Sequence, residues 1–155
     1  MRKFQKIKTQ YYTAEGYTLV EVCIAMVIIC ILASMAAPIY TKAVEQARLD
    51  SAAGNLKTIW SAQRAYWLKY HTFAADLTTL ENEDLVSSAL AATEGQSNAV
   101  YVYGIESASA SAFAASATRN GSSTWGGEIQ IDESGAVSGE INGSDSTVLS
   151  PLTME

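Results

Sequence analysis

The sequence predicts an α+β protein, a long N-terminal helix packed on a small antiparallel sheet of three or four strands. Three observations carry that reading. The run from Val22 to Thr41 contains no charged residue. Apolar residues between positions 39 and 70 recur at spacings of three and four, the period of one helix face. From Val100 onward, apolar and polar residues alternate in short runs broken by Asn-Gly and Gly-containing turns, as antiparallel strands do.

The length of 155 residues fits one domain, and 48% of the residues are hydrophobic against 17% charged. Charge is segregated along the chain. Residues 1–16 carry Arg2, Lys3, Lys6 and Lys8 against Glu15, a net of +3. Residues 42–70 carry Lys42, Arg48, Lys57, Arg64 and Lys69 against Glu45 and Asp50, again +3. Residues 71–155 hold twelve acids and a single base, Arg119. The chain thus divides into a basic leader (1–16), an apolar helix (17–41), an amphipathic stem helix (42–71) and an acidic head (72–155).

As a helix rising about 1.5 Å per residue, the uncharged run spans roughly 30 Å, one bilayer core. The basic residues precede it, so residues 1–16 are expected on the cytoplasmic side and the head beyond the membrane. A cleaved secretory signal is the competing reading, but the apolar run is longer than a typical signal core. Glu21 stands out, since an acid at the edge of an apolar run is costly there and marks a pairing partner.

Gly16-Tyr17-Thr18-Leu19-Val20-Glu21, the apolar run and Ala37-Pro38-Ile39-Tyr40 together resemble the N-terminus of type IV pilins and type II secretion pseudopilins. The resemblance implies a pilin-like fold, cleavage by a prepilin peptidase after Gly16 and methylation of the new amine of Tyr17. Counted from Tyr17, Glu21 is the fifth residue and Pro38 the twenty-second, the offsets of that family's glutamate and proline. Glu21 is then expected to pair with the Tyr17 amine of a neighbouring chain, and Pro38 to kink the helix. Tyr17 stands where the family more often has Phe, and Cys30 where many members have Gly. The implied partners are a homo-oligomeric helical filament, the peptidase, a pilus or secretion assembly machinery and the membrane. The implied location is a single pass in the inner membrane, with a periplasmic head, and then a periplasmic or extracellular filament.

In the stem, Leu49, Ala52, Ala53, Leu56, Ile59, Trp60, Gln63, Trp67 and Tyr70 form the predicted buried stripe, and Gly54 permits curvature. The aromatic residues Trp60, Tyr66, Trp67 and Tyr70 read as packing against the sheet in preference to a ligand platform. His71 ends the helix as a polar cap. Residues 72–98 form a connection with short helical turns around 76–91. Its acids Glu81, Glu83 and Asp84 read as a solvated loop, since the alternating-oxygen loop that holds Ca²⁺ is absent. Strands are expected at 100–105, 111–119, 125–132 and 137–141, with turns at Asn120-Gly121, Asp132–Gly135 and Asn142-Gly143 and an irregular tail over 142–155.

No catalytic residues, cofactor or metal site are predicted. His71 is the only histidine, and no phosphate-binding glycine pattern occurs. A head with one arginine is not built to hold a nucleic-acid backbone. Cys23 and Cys30 lie about 10 Å apart along the helix, beyond disulfide reach, and read as small packing residues. The head contains no Cys, unlike the many type IV pilins with a C-terminal disulfide loop. Residues 72–150 contain no Pro, which favours a type IV pilus-like subunit over a major secretion pseudopilin. A signal-anchored periplasmic binding module that never assembles is the remaining alternative, and it leaves Glu21 and Pro38 unexplained.

Overall fold

A computed structural model of the chain describes residues 16–93, 96 and 98–151. Residues 1–15 of the leader, residues 94, 95 and 97 of the connection and the last four residues of the expected tail lie outside the described residues. The elements are α1 (Leu19–Tyr70), α2 (Leu77–Asn82), α3 (Ser88–Ala91), β1 (Tyr101–Ala108), β2 (Phe113–Arg119), β3 (Trp125–Asp132), β4 (Val137–Gly143) and β5 (Val148–Leu149). The chain forms two compact units that divide after Tyr40.

In the first unit, α1 is long and apolar enough to cross a membrane, and none of its most apolar stretch is buried within the protein. Leu19, Ile24, Ile28, Leu32, Met35 and Ile39 are all exposed. Aliphatic surface on this scale is compatible with a single-pass membrane anchor. Pro38 sits inside the helix, which runs through it without a break. Its ring nitrogen cannot donate to the carbonyl of Ser34.

The second unit, from Thr41 onward, is a helix laid on a five-stranded antiparallel sheet, with the strands in chain order from β1 to β5. The stem stripe packs as its spacing predicts: Leu49, Ala52, Ala53, Leu56, Ile59 and Gln63 are buried, joined by Ala62. Tyr70 departs from the stripe, being exposed at the end of the helix. Trp60 and Tyr66 pack against the core from its margin. His71 takes a left-handed conformation (φ 55°) directly after α1, and its N–H donates to the carbonyl of Trp67 at 2.8 Å. That is the usual way to end a helix.

Large and small residues alternate across the core face of the sheet. In register, Tyr103 faces Ala117, which faces Ile129, which faces Gly139. The next row runs Ile105, Ala115, Ile131, Val137. The Ala-rich second strand, weak by propensity, is held by this complementarity, and Ala115 and Ala117 are fully buried in it.

The sheet has one strand more than the three or four expected. The added β5 is only two residues long and lies in the tail read as irregular, pairing Leu149 with Ile141. Asn142-Gly143 does not turn. Both residues stay in β4, and the reversal comes just after, where Gly143 N–H donates to Thr147 O and Ser146 has φ 63°. The second strand begins at Phe113 instead of 111 because Ser109 closes a turn on Ala112.

Candidate functional site

Gly16, Tyr17 and Thr18 precede the helix, and the Tyr17 side chain is 88% exposed. Thr18 stands at the N-cap position and Glu21 three residues on. Thr18 N–H and its hydroxyl both donate to Glu21 Oε2, each at 3.0 Å, and Glu21 N–H donates back to Thr18 Oγ1 at 3.2 Å. This is a reciprocal capping box, satisfying backbone donors that a helix start leaves without partners. The pattern Thr18-Leu19-Val20-Glu21 was readable as such a box, but the charge of Glu21 drew the reading toward pairing alone.

Of the predicted site residues, the structure thus brings Glu21 to the helix start beside Tyr17. Pro38 lies more than four turns along α1 and takes no part in that arrangement. Cys23 and Cys30 are exposed free thiols on the apolar run.

A second polar cluster lies within the head unit, and its core was not foreseen. Glu45, buried on the stem helix, accepts from Arg119 Nε at 2.5 Å and from Arg119 Nη2 at 3.2 Å. Arg48 reaches the same carboxylate at 3.2 Å. Arg119 also donates to the carbonyls of Val100 and Asn120. Its guanidinium lies 5.7 Å from the ring centre of Tyr101. Burial, with the Glu45 charge second, pushes the Tyr101 phenol up to about 12. At the same end of the unit Lys42 pairs with Asp145 at 3.1 Å. Asp145 is held down at about 2, first by the Thr147 hydroxyl and then by Lys42.

The acidic connection is less solvated than expected. Glu83 accepts from Lys69 Nζ at 2.5 Å and from the Tyr70 hydroxyl at 2.6 Å. The two donors hold the Glu83 carboxyl below its usual range. Among the described residues, no group of three or more His, Cys, Asp or Glu side chains could hold a metal ion. Trp67 donates its indole N–H to Ala110 O at 2.8 Å and stands beside Phe73, at the rim of an open cleft of about 270 Å³. Of the stem aromatics, Trp60 and Tyr66 thus sit at the margin of the core, Trp67 packs on the 109–111 loop and Tyr70 is exposed.

No curated protein matches the chain. A family model described as the prokaryotic N-terminal methylation motif matches residues 13–37, the segment holding Gly16, Tyr17 and Glu21. The chain therefore carries the prepilin-type motif of type IV pilins and pseudopilins at the head of a helix apolar enough to span a membrane.

Proposed function

We propose that the protein is a structural subunit of a type IV pilus-like filament. It is inserted once in the inner membrane, cut by a prepilin peptidase after Gly16, methylated on Tyr17 and polymerised through its N-terminal helix. The observation that carries this reading is the motif at residues 13–37 on a helix whose apolar side chains are exposed. Cleavage places a positive amine on Tyr17, two residues before α1 begins and four before Glu21 in the chain. When stems pack with an axial offset, the amine of one chain meets Glu21 of the next. An uncompensated charge in a low-dielectric bundle is expensive, so the pairing selects the register. Methylation keeps the positive charge. The Pro-free stretch from 72 to 150 supports a pilus-like role over a secretion pseudopilin.

Two measurements test the reading. Intact mass of the membrane-extracted protein from a peptidase-bearing strain is expected to fit a chain running from methylated Tyr17 to Glu155, and a mass retaining residues 1–16 overturns it. Glu21→Ala is expected to leave the protein processed, with a folded head and normal membrane levels, and to abolish sheared filaments. Normal filament yield from that variant refutes the pairing role.

A further inference from the structure

The tripeptide Asn-Gly-Ser occurs twice, at residues 120–122 and 142–144. An Asn before Gly can react with its own chain, because glycine has no Cβ to shield the next amide nitrogen. That nitrogen attacks the side-chain carbonyl carbon and closes a five-membered ring. The two copies share this chemistry and differ in their surroundings. At the first copy the reacting groups are already together. Gly121 N–H donates to Asn120 Oδ1 at 2.8 Å, so the nitrogen lies against the carbonyl it would attack. Arg119 Nη1 donates to the backbone oxygen of Asn120, the carbonyl of that same peptide bond. As the nitrogen gives up its proton, negative charge spreads onto this oxygen, and the guanidinium is in place to hold it. Gly121 has φ +69°, and the space where a Cβ would stand is open. At the second copy the backbone is engaged. Asn142 pairs with Gly126 on one side and Val148 on the other. Gly143 N–H donates to Thr147 O at 2.7 Å, so its proton is held by another carbonyl. Exposure alone would rank the two the other way, since Asn142 is exposed and Asn120 half-buried.

We propose that Asn120 is a self-modification site that deamidates in the folded protein, with the Gly121 nitrogen as nucleophile, while β4 protects Asn142. The Gly121 nitrogen loses its proton to hydroxide or buffer base and bonds to Asn120 Cγ. The Cγ–Nδ2 bond breaks, and Nδ2 takes up a proton and leaves as ammonia. Water then opens the cyclic imide at either carbonyl, giving aspartate or isoaspartate at position 120. The sum is amide plus water to acid plus ammonia, with no change of oxidation state. Either product sets a carboxylate next to Arg119, where it competes with Glu45 for the guanidinium. The isoaspartate also lengthens the main chain by a methylene, at a residue whose N–H donates to Val100 O at 2.9 Å. The reaction therefore loosens the join between the stem helix and the end of β2.

The test incubates the membrane-extracted, detergent-solubilised protein in mildly alkaline buffer, folded and in urea. Peptide mapping by mass spectrometry follows both Asn-Gly sites, reading the small mass gain of an acid over an amide. In the folded chain Asn120 is expected to convert at least about tenfold faster than Asn142, whose reaction waits on local opening of β4. In urea the two sites are expected to convert at similar rates. Equal rates in the folded chain, or faster conversion at Asn142, overturn the proposal. A gap of the same size in urea overturns it too, since the fold is then not the cause. Conversion of Asn120 that is much slower folded than in urea overturns the claim that the fold assembles the reacting groups. The consequence is read on the same samples. Aged wild type is expected to unfold at a lower urea midpoint than fresh protein. Asn120→Gln, whose longer side chain does not form the five-membered ring, is expected to hold its midpoint on ageing. An equal fall in Asn120→Gln overturns the link between this site and the Arg119 pair.

Discussion

Arg119 is the one base between residues 71 and 155, and it faces inward. Its guanidinium forks onto Glu45 and reaches two backbone carbonyls, so it joins the stem helix to the end of β2. Removing one member of a buried pair leaves the other charged and unsolvated. Arg119→Ala is therefore expected to destabilise the head by about 3–5 kcal/mol, read as a fall in the urea midpoint of the detergent-solubilised protein. Glu45→Gln keeps the shape and an acceptor and is expected to cost less. Tyr101 sits against this pair, and its titration gives a second expectation. Its folded pKa of about 12 lies above the ordinary phenol value of 10.0. Between those values the unfolded state has lost the phenol proton while the folded state keeps it. This group's contribution is thus complete below pH 10 and falls as pH rises toward 12. Unfolding free energy followed across that window is expected to drop more steeply in wild type than in Tyr101→Phe.

Among the elements, the turn between β3 and β4 shows how little room the fold leaves. Gly135 has φ +82°, and a Cβ there would stand 2.9 Å from the Trp60 ring. Trp60 in turn donates to Glu133 O at 3.1 Å, and Lys57 to Gly135 O at 2.7 Å, so the turn is fastened to the stem by two hydrogen bonds. Gly135→Ala is expected to cost about 1–3 kcal/mol by combining backbone strain with displacement of the indole, measurable as a lowered melting temperature and altered Trp fluorescence. The short α2 depends on Asp76, whose carboxylate accepts from Thr79 N–H at 2.6 Å. Asp76→Ala is expected to cost about 1 kcal/mol. The strands, the stem stripe and the Asp132–Gly135 turn were legible because each is a local pattern of period or turn residue. The Glu45–Arg119 pair was not, because its partners are 74 residues apart and each looked like ordinary surface charge. Gln63 lay on the stripe by spacing alone. Only the structure shows its amide closing on both the N–H and the carbonyl of Ala74, at 2.8 and 2.9 Å. β5 escaped notice because two residues carry no period.

For the whole molecule, the segregated sequence yields two units of opposite character. The first shows exposed aliphatic side chains from Leu19 to Ile39, and the second buries its own core. The chain is expected to stay in the membrane pellet after an alkaline wash. Ile28→Arg places a charge mid-run at a cost of about 2.5–3.5 kcal/mol. It is expected to shift the protein toward the wash supernatant or lower its level in membranes. The N-terminal motif was legible because it is written in one contiguous stretch with fixed offsets. Its geometry was legible only in part: the charge of Glu21 was plain, but the hydrogen bonds that orient it depend on where the helix begins.

The strands stand side by side in the order in which they occur in the chain. No strand has to be inserted between two others, and each new one meets a neighbour that has only just preceded it. Such a sheet can be assembled hairpin by hairpin, with short loops closed at each step and little entropy lost in bringing distant segments together. In that arrangement no long-lived open edge waits in the middle of the sheet for a late partner. The Glu45–Arg119 bridge joins residues 74 apart and closes only after β2 is in place. Its removal should therefore quicken unfolding while leaving the refolding rate nearly unchanged.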